Sequence, residues 1–195
     1  MKTIKYNITH EYIIQKSKFI SMLYQVNNEE EVINILNRLK LEYKDATHIC
    51  YAYIINNIKR FQDDGEPSGT AGMPILNVIE QQNLNMVLAV VIRYFGGIKL
   101  GAGGLVRAYS NAVSTALNKA QRGEIIEGIE IEISLNYEDL KIVDMLLKDE
   151  IIINKIFDEK IIIDFQTTIS NYNNIKNSIQ KYNPTIKKEH LYIIK

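Results

Sequence analysis

The chain has 195 residues, of which 46% are hydrophobic and 24% are charged. This composition is typical of a globular protein, and the length allows one medium-sized domain or two small ones. The 23 basic and 23 acidic side chains cancel, which excludes a protein that coats nucleic acid through bulk positive charge but not one with a local basic patch. The single cysteine, Cys50, excludes an internal disulfide and a four-cysteine zinc site.

Neither a secretion signal nor a membrane span is visible in the sequence. Residues 1–7 lack the continuous apolar stretch of a signal peptide. The longest uninterrupted apolar run, from Met86 to Ile92, is far shorter than the ~20 residues that cross a bilayer. We therefore expect a cytoplasmic protein that does not enter membranes.

In chain order, the first part of the sequence predicts four strands and three helices. The strands are expected near residues 3–8, 18–25, 47–55 and 86–94. The helices are expected near residues 28–43, 75–82 and 103–121. Residues 57–73 are predicted to form one long loop.

A change in residue usage predicts a domain boundary after the third helix. All ten glycines lie between Gly65 and Gly128, and residues 129–195 contain no glycine and no arginine. Gln121-Arg122-Gly123 also ends a helical pattern. We therefore expect two domains, residues 1–125 and 126–195.

The second part of the chain predicts the order β-α-β-β-α-β. Isoleucines alternate with polar residues over 129–135, as in a strand with one solvated face, and a helix follows from about residue 137. Two isoleucine-rich strands, 151–157 and 161–165, precede a helix at 171–182 and a strand at 185–194. This order is that of ferredoxin-like folds.

Residues 63–72, which we call the acidic loop, combine three carboxylates, two hydroxyls and three glycines. Glycine-rich loops lose much entropy on folding, so the backbone must need a special conformation or a close approach. One hypothesis is a backbone cradle, or a hard-cation site made by Asp63, Asp64 and Glu66, although the spacing fits no EF-hand. The alternative is a set of turns closed by side-chain-to-backbone bonds. The candidate residues are Asp63, Asp64, Gly65, Glu66, Ser68 and Thr70.

Residues 93–104, which we call the basic loop, join a strand that is apolar on both faces to an alanine-rich helix. Free N–H groups at a helix start attract anions, and no acidic residue lies between positions 93 and 107. The glycine spacing matches neither a Walker A motif nor a dinucleotide fingerprint. The alternative is a tight structural turn in which Arg93 or Arg107 pairs with the acidic loop. The candidate anion-binding residues are Arg93, Gly96, Gly97, Lys99, Gly101, Gly103, Gly104 and Arg107.

His48 and Cys50 form a third candidate, because alternate residues of a strand share a face. A Cys–His nucleophile pair is one interpretation. The favoured interpretation is a buried thiol next to a hydrogen-bonded histidine. Tyr51 and Tyr53 are expected to pack on the opposite face.

Four motifs in this sequence resemble the IMPACT family in its bacterial, YigZ-type branch. They are KSKFI at 16–20, ATHICYA at 46–52, DDGEPSGTAG at 63–72 and VIRYFGGIKLGAGGLVRAY at 91–109. Many bacterial members of the family have a basic residue at the position of Met73 and a lysine at that of Arg107. Arg107 keeps the charge, whereas Met73 weakens the basic patch.

The resemblance implies an α+β protein with two domains. The first would have a two-layer α/β fold with a left-handed crossover, as in a ribosomal-protein domain and elongation factor G. The second would be ferredoxin-like, similar to the last domain of elongation factor G. Eukaryotic members regulate translation by competing for the activator of a stress-response kinase, a role that depends on an extra N-terminal domain and is not expected here.

The leading hypothesis is a translation-associated protein that binds RNA, the ribosome or a translation-related protein through Arg93, Lys99 and Arg107, without a cofactor or bound metal. The first alternative is a magnesium-dependent, phosphate-handling hydrolase or transferase that uses Asp63, Asp64 and Glu66. The second is a protein-interaction module in which the glycines serve only folding.

Overall fold

The computed structural model describes residues 1–194. The protein is a mixed α/β protein with two antiparallel sheets and five α-helices within that range. It divides into two compact units, Met1–Glu124 and Ile125–Lys195. No helix in residues 1–194 is long and apolar enough to cross a membrane.

The first unit is built on a five-stranded sheet with the strand order β2-β3-β6-β4-β5. Every pair of neighbouring strands in it is antiparallel. The strands are β1 (Lys2–Ile4), β2 (Ile8–Ile14), β3 (Ser17–Gln25), β4 (His48–Ile55), β5 (Ile58–Gln62) and β6 (Val87–Tyr94), and the helices are α1 (Glu29–Glu42), α2 (Gly72–Gln81) and α3 (Gly101–Lys119). The short strand β1 pairs with residues 122–124 instead of joining this sheet.

Helices cover both faces of this sheet. Residues 87, 89 and 91 of the central strand β6 pack with α2 and α3, whereas residues 88, 90 and 92 pack with α1. The expected two-layer arrangement is therefore corrected to three layers. The physical reason is that β6 is apolar on both faces and must be shielded from water on both.

Two strands of the first unit were not expected. The predicted loop at 57–73 contains β5 and the first residues of α2, and β2 follows the predicted strand at 3–8. All five residues of β5 are exposed, so its sequence carries no alternation of buried and solvated residues. The turn before it, Asn56-Asn57, connects the paired residues Ile55 and Ile58 in a two-residue hairpin, and asparagine suits such turns.

Strand β7 (Arg122–Leu135) begins in the first unit and continues into the second from residue 125. The second unit then contains α4 (Leu140–Leu146), β8 (Ile151–Phe157), β9 (Ile161–Thr168), α5 (Ile169–Ile179) and β10 (Thr185–Ile194). Its strand order is β10-β7-β9-β8, and all pairs are antiparallel. Side chains of β7, β9 and both helices share one hydrophobic core, which includes Ile131, Val143, Phe165 and Ile179.

Candidate functional site

The acidic loop uses its first carboxylate to hold the start of helix α2. Asp63 Oδ1 accepts hydrogen bonds from the backbone N–H groups of Ala71 (3.0 Å) and Gly72 (2.8 Å), and Oδ2 accepts one from Gly69 (2.8 Å). The first N–H groups of a helix have no partner within the helix, and a negative charge there is stabilising. Asp63 therefore acts as a cap supplied from eight residues earlier in the chain.

Asp64 and Thr70 of the acidic loop also form hydrogen bonds with protein groups. Asp64 Oδ2 accepts a bond of 2.6 Å from the N–H of Ile49, and the hydroxyl of Thr70 donates to the Pro67 carbonyl. Gly65 and Ser68 are exposed. Among the side chains that the structure describes, no group of three or more His, Cys, Asp or Glu could hold a metal ion. This geometry fits the interpretation of turns closed by side-chain bonds, and it does not support the cation site.

Glu66 is the buried centre of a polar cluster that joins the two loops. Its Oε1 accepts hydrogen bonds from Arg93 Nη1 (2.5 Å) and from the Tyr109 hydroxyl (2.7 Å). The side chains of Glu66 and Arg93 are only 3% and 6% exposed. Burial raises the pKa of Tyr109 well above its usual value, so the hydroxyl keeps its proton and remains a donor.

Arg93 is therefore not a surface cation, which changes the role expected for it. It pairs with a carboxylate of the acidic loop, and its guanidinium lies about 5.4–5.5 Å from the ring centroids of Phe19 and Phe95. Its Nε is buried and has no hydrogen-bond partner among the described residues. Of the three cations expected to contact phosphate, only Lys99 and Arg107 are exposed.

Cys50 and His48 bond separately to the acidic loop. The Cys50 thiol is fully buried and donates to the Asp63 carbonyl at 2.9 Å. Burial raises the pKa of Cys50 to about 12, so the thiolate that a nucleophile needs does not form near neutral pH. His48 Nδ1 lies 2.7 Å from the Asp64 carbonyl. Because a carbonyl only accepts, Nδ1 carries a proton and donates it in this bond, and Nε2 lies 3.9 Å from Glu66 Oε2.

The start of the basic loop packs tightly against neighbouring turns. A Cβ atom at Gly96 would lie 2.0 Å from the carbonyl carbon of Lys16, so only glycine fits there. The N–H groups of Phe95 and Gly96 donate to the hydroxyls of Thr47 and Ser17. This packing brings the turn that carries the exposed Lys16 beside the loop. Lys16 was absent from the expected site residues, although it belongs to the first of the four motifs.

The end of the basic loop is the start of helix α3, and it has no side-chain cap. Leu100 occupies the N-cap position without a capping hydrogen bond, and the first turn contains no acidic residue. Gly101, Ala102 and Gly103 are exposed, and Lys99 immediately precedes this helix start. Arg107 returns towards the same turn, since its Nη1 lies 3.6 Å from where a Cβ of Gly103 would be. The N–H groups of this turn are therefore available to an anion.

A pocket of about 440 Å³ lies where the two loops meet. Four residues of the expected sites line it, namely Glu66, Arg93, Lys99 and Gly101. The remaining residues of the expected sites, including Gly97 and Gly104, are not among the lining residues. Seven other lining residues belong to the four motifs but were not among the expected anion-binding or acidic-loop residues, because nothing in their local sequence marks them as lining a pocket: Thr47, His48, Pro67, Phe95, Leu100, Ala102 and Leu105.

Comparisons with known proteins match the part of the chain that contains this pocket. A model of the Impact N-terminal domain matches residues 15–117, more than half of the chain. The IMPACT family member YvyE of Bacillus subtilis is 50% identical over 119 residues, which cover 60% of this chain and 55% of YvyE. The matched stretch is thus about half the length of that relative.

Two solved structures are also similar. A crystal structure described as that of a hypothetical protein is 29% identical, covers 95% of each chain and has a TM-score of 0.64. A structure of Yih1, described as a two-domain translational regulator, is 25% identical and covers 61% of this chain and 47% of its own. Its TM-score of 0.36 is too low to support a structural argument. The match to the Impact N-terminal domain over residues 15–117 shows that the chain belongs to the IMPACT family.

Proposed function

We propose that the first domain, residues 1–125, binds the phosphate backbone of RNA through the basic loop, in a role connected with translation. The observation that carries this proposal is the start of helix α3. It has no side-chain cap and no acidic residue, and exposed Lys99 and Arg107 lie beside it. Unpaired N–H groups and cations at one helix start are the usual means by which proteins hold phosphate.

The charges around the basic loop support this choice of ligand. Neither Lys99 nor Arg107 forms an ion pair with another described residue. Glu66, a buried carboxylate beside the loop, is neutralised by Arg93. Because the whole chain carries no net charge, binding would depend on this local cluster. The connection with translation is what the family resemblance implies.

The enzyme alternative has less support in the geometry. It requires Asp63, Asp64 and Glu66 to hold a magnesium ion, but Asp63 and Glu66 already accept two or more hydrogen bonds each from protein groups. No thiolate nucleophile forms at Cys50 near neutral pH. RNA binding therefore remains the proposal that the geometry favours.

Fluorescence anisotropy with a short labelled single-stranded RNA tests the proposal. Affinity should fall as salt rises, because each phosphate contact releases counterions. Lys99→Ala and Arg107→Ala should each weaken binding and reduce the slope of log K against log salt by about 0.7. Lys40→Ala is the matched control, since Lys40 is exposed on α1, which packs on the other face of the sheet. Affinity and slope unchanged in both loop variants would contradict the proposal.

A further inference from the structure

The floor of the pocket contains a buried hydrogen-bond donor that has no partner within the described part of the chain. Arg93 lines the pocket, is 5% exposed, and has no partner for Nε. Glu66 Oε1 accepts two bonds, whereas Oε2 accepts none among the described residues and lies 3.9 Å from His48 Nε2. Buried polar groups in proteins nearly always have partners. The floor is therefore a second observation, independent of the uncapped helix, that points to a ligand here.

The walls of the pocket suit a flat group with apolar faces. Phe95, Leu100 and Leu105 line it, and Phe95 is 46% exposed although its ring lies next to the buried Arg93. The volume of about 440 Å³ is within the range of small-molecule sites. An exposed aromatic ring beside a cavity is the usual platform on which a nucleobase stacks.

The floor of the pocket presents hydrogen-bonding side chains, whereas the rim presents positive charge. On the floor, the carboxylate oxygen Glu66 Oε2 is an acceptor that matches an N–H group of a ligand, and the unpartnered Arg93 Nε is a donor that matches a ligand acceptor. On the rim, Lys99, Gly101 and Ala102 bring a positive charge and the start of α3 to the opening. The matching ligand has a flat body, an edge on which a hydrogen-bond donor lies beside an acceptor, and an anionic group near the opening.

We propose that the pocket binds one unstacked nucleotide of a single-stranded RNA, an inference that rests on the proposed function. The base lies against Phe95 with its hydrogen-bonding edge towards Glu66 and Arg93. Its phosphate lies at Lys99 and the start of α3. The carboxylate oxygen Glu66 Oε2 on the floor favours a base with an exocyclic amino group, such as cytosine, over uracil, which has a carbonyl at that position.

Labelled oligocytidylate and oligouridylate of equal length form the first comparison, with an RNA duplex as a third probe. We expect oligocytidylate to bind about 10-fold more tightly than oligouridylate, and both more tightly than the duplex. Phe95→Ala should weaken oligocytidylate binding by about 10-fold without changing the salt slope, because it removes a stacking surface and no charge. Phe95→Tyr, which keeps the ring, should restore the affinity.

Phe61→Ala is the control, because Phe61 is 40% exposed on β5 and does not line the pocket. Circular dichroism confirms that each variant is folded. Equal binding of both oligonucleotides and the duplex, unaffected by Phe95→Ala, would overturn this inference and leave the proposed function intact. Absence of RNA binding would overturn both.

Competition with cytidine monophosphate tests whether the nucleotide in the pocket belongs to an RNA strand or is a free mononucleotide. The ability of cytidine monophosphate to displace labelled oligocytidylate supports the pocket as the site. If the mononucleotide binds and no RNA does, the pocket takes a free nucleotide, and binding to RNA is overturned.

Discussion

The acidic and basic loops are both glycine-rich and both lead into a helix of the first unit, but the two helix starts differ. At α2 the N–H groups of Ala71 and Gly72 are bound by Asp63 from the same chain. At α3 no side chain caps the helix and no acidic residue lies in its first turn. The same local feature, an electropositive helix start, is satisfied internally in one loop and left open in the other.

This difference supports a structural role for the acidic loop and is the basis for the binding role proposed for the basic loop. The carboxylates of the acidic loop stabilise the fold because backbone and arginine donors surround them. The cations Lys99 and Arg107, in and just after the basic loop, gain nothing comparable, since both are exposed. Substitutions in the acidic loop should therefore affect stability, and substitutions of the exposed cations should affect binding.

The largest effect is expected from Asp63→Ala, which tests the structural role of the acidic loop. The change removes the carboxylate that accepts three hydrogen bonds, and the backbone N–H groups that donate these bonds lose their acceptor. We expect the free energy of unfolding in urea to fall by about 4.5 kcal/mol, since each such bond contributes about 1.5–3 kcal/mol and the partial exposure of Asp63 favours the lower end of that range. Asp63→Asn keeps one acceptor oxygen and should cost less. A loss below about 1 kcal/mol for Asp63→Ala would contradict the capping role.

Within the basic loop, alanine substitutions at two neighbouring glycines should lower the free energy of unfolding by different amounts. A Cβ at Gly96 would meet the backbone of Lys16 and Ser17 at 2.0–2.4 Å, so Gly96→Ala should cost about 3 kcal/mol. Gly97 has a φ of +84° and no neighbour within 4 Å of a Cβ, so Gly97→Ala should cost about 1 kcal/mol through backbone strain alone. Urea unfolding of the two variants measures the contrast, and equal losses would mean that close packing at Gly96 is not the cause.

The buried thiol beside the acidic loop predicts a fall in stability at alkaline pH. The unfolded chain releases the Cys50 proton near pH 9.0, whereas the folded protein retains it until about pH 12. The folded state therefore binds more protons in this window, and the free energy of unfolding falls as pH rises above about 9, by at most about 1.4 kcal/mol per pH unit for this group.

Cys50→Ala identifies the source of that fall. Between pH 9 and 10 the variant should lose less stability than the wild type, because Tyr109, whose pKa is also raised, begins to contribute only above 10.0. Urea unfolding at several pH values measures the difference. Parallel pH profiles of the two proteins would contradict a role for the thiol.

The smallest effect on stability is expected from Lys99→Ala and Arg107→Ala. Both side chains are exposed and unpaired among the described residues, so the free energy of unfolding should change by less than about 0.5 kcal/mol. Thermal and urea unfolding measure it. A loss comparable to that of Asp63→Ala would assign these cations a structural role and remove the contrast between the loops.

The sequence predicted those elements whose burial is regular. Strand β6 alternates between two cores and helix α3 places its alanines on the sheet, so both were expected within two residues at either end. Strand β5 is exposed throughout, so its sequence lacks the pattern that would have revealed it. The resemblance implies two layers, whereas the two apolar faces of β6 require helices on both sides of the sheet and hence a third layer.

What the sequence by itself determined is the family, the two loops and the chemical type of their residues, because motifs and charge patterns are local properties of the chain. Only the tertiary structure decided what each residue does. Glu66 and Arg93 lie 27 positions apart, yet they form one buried pair. Asp63 caps α2 while α3 stays open, and Phe95 joins Glu66 and His48 around a pocket. These assignments depend on distances between elements that are remote in sequence, and such distances are set by the packing of the sheet and helices.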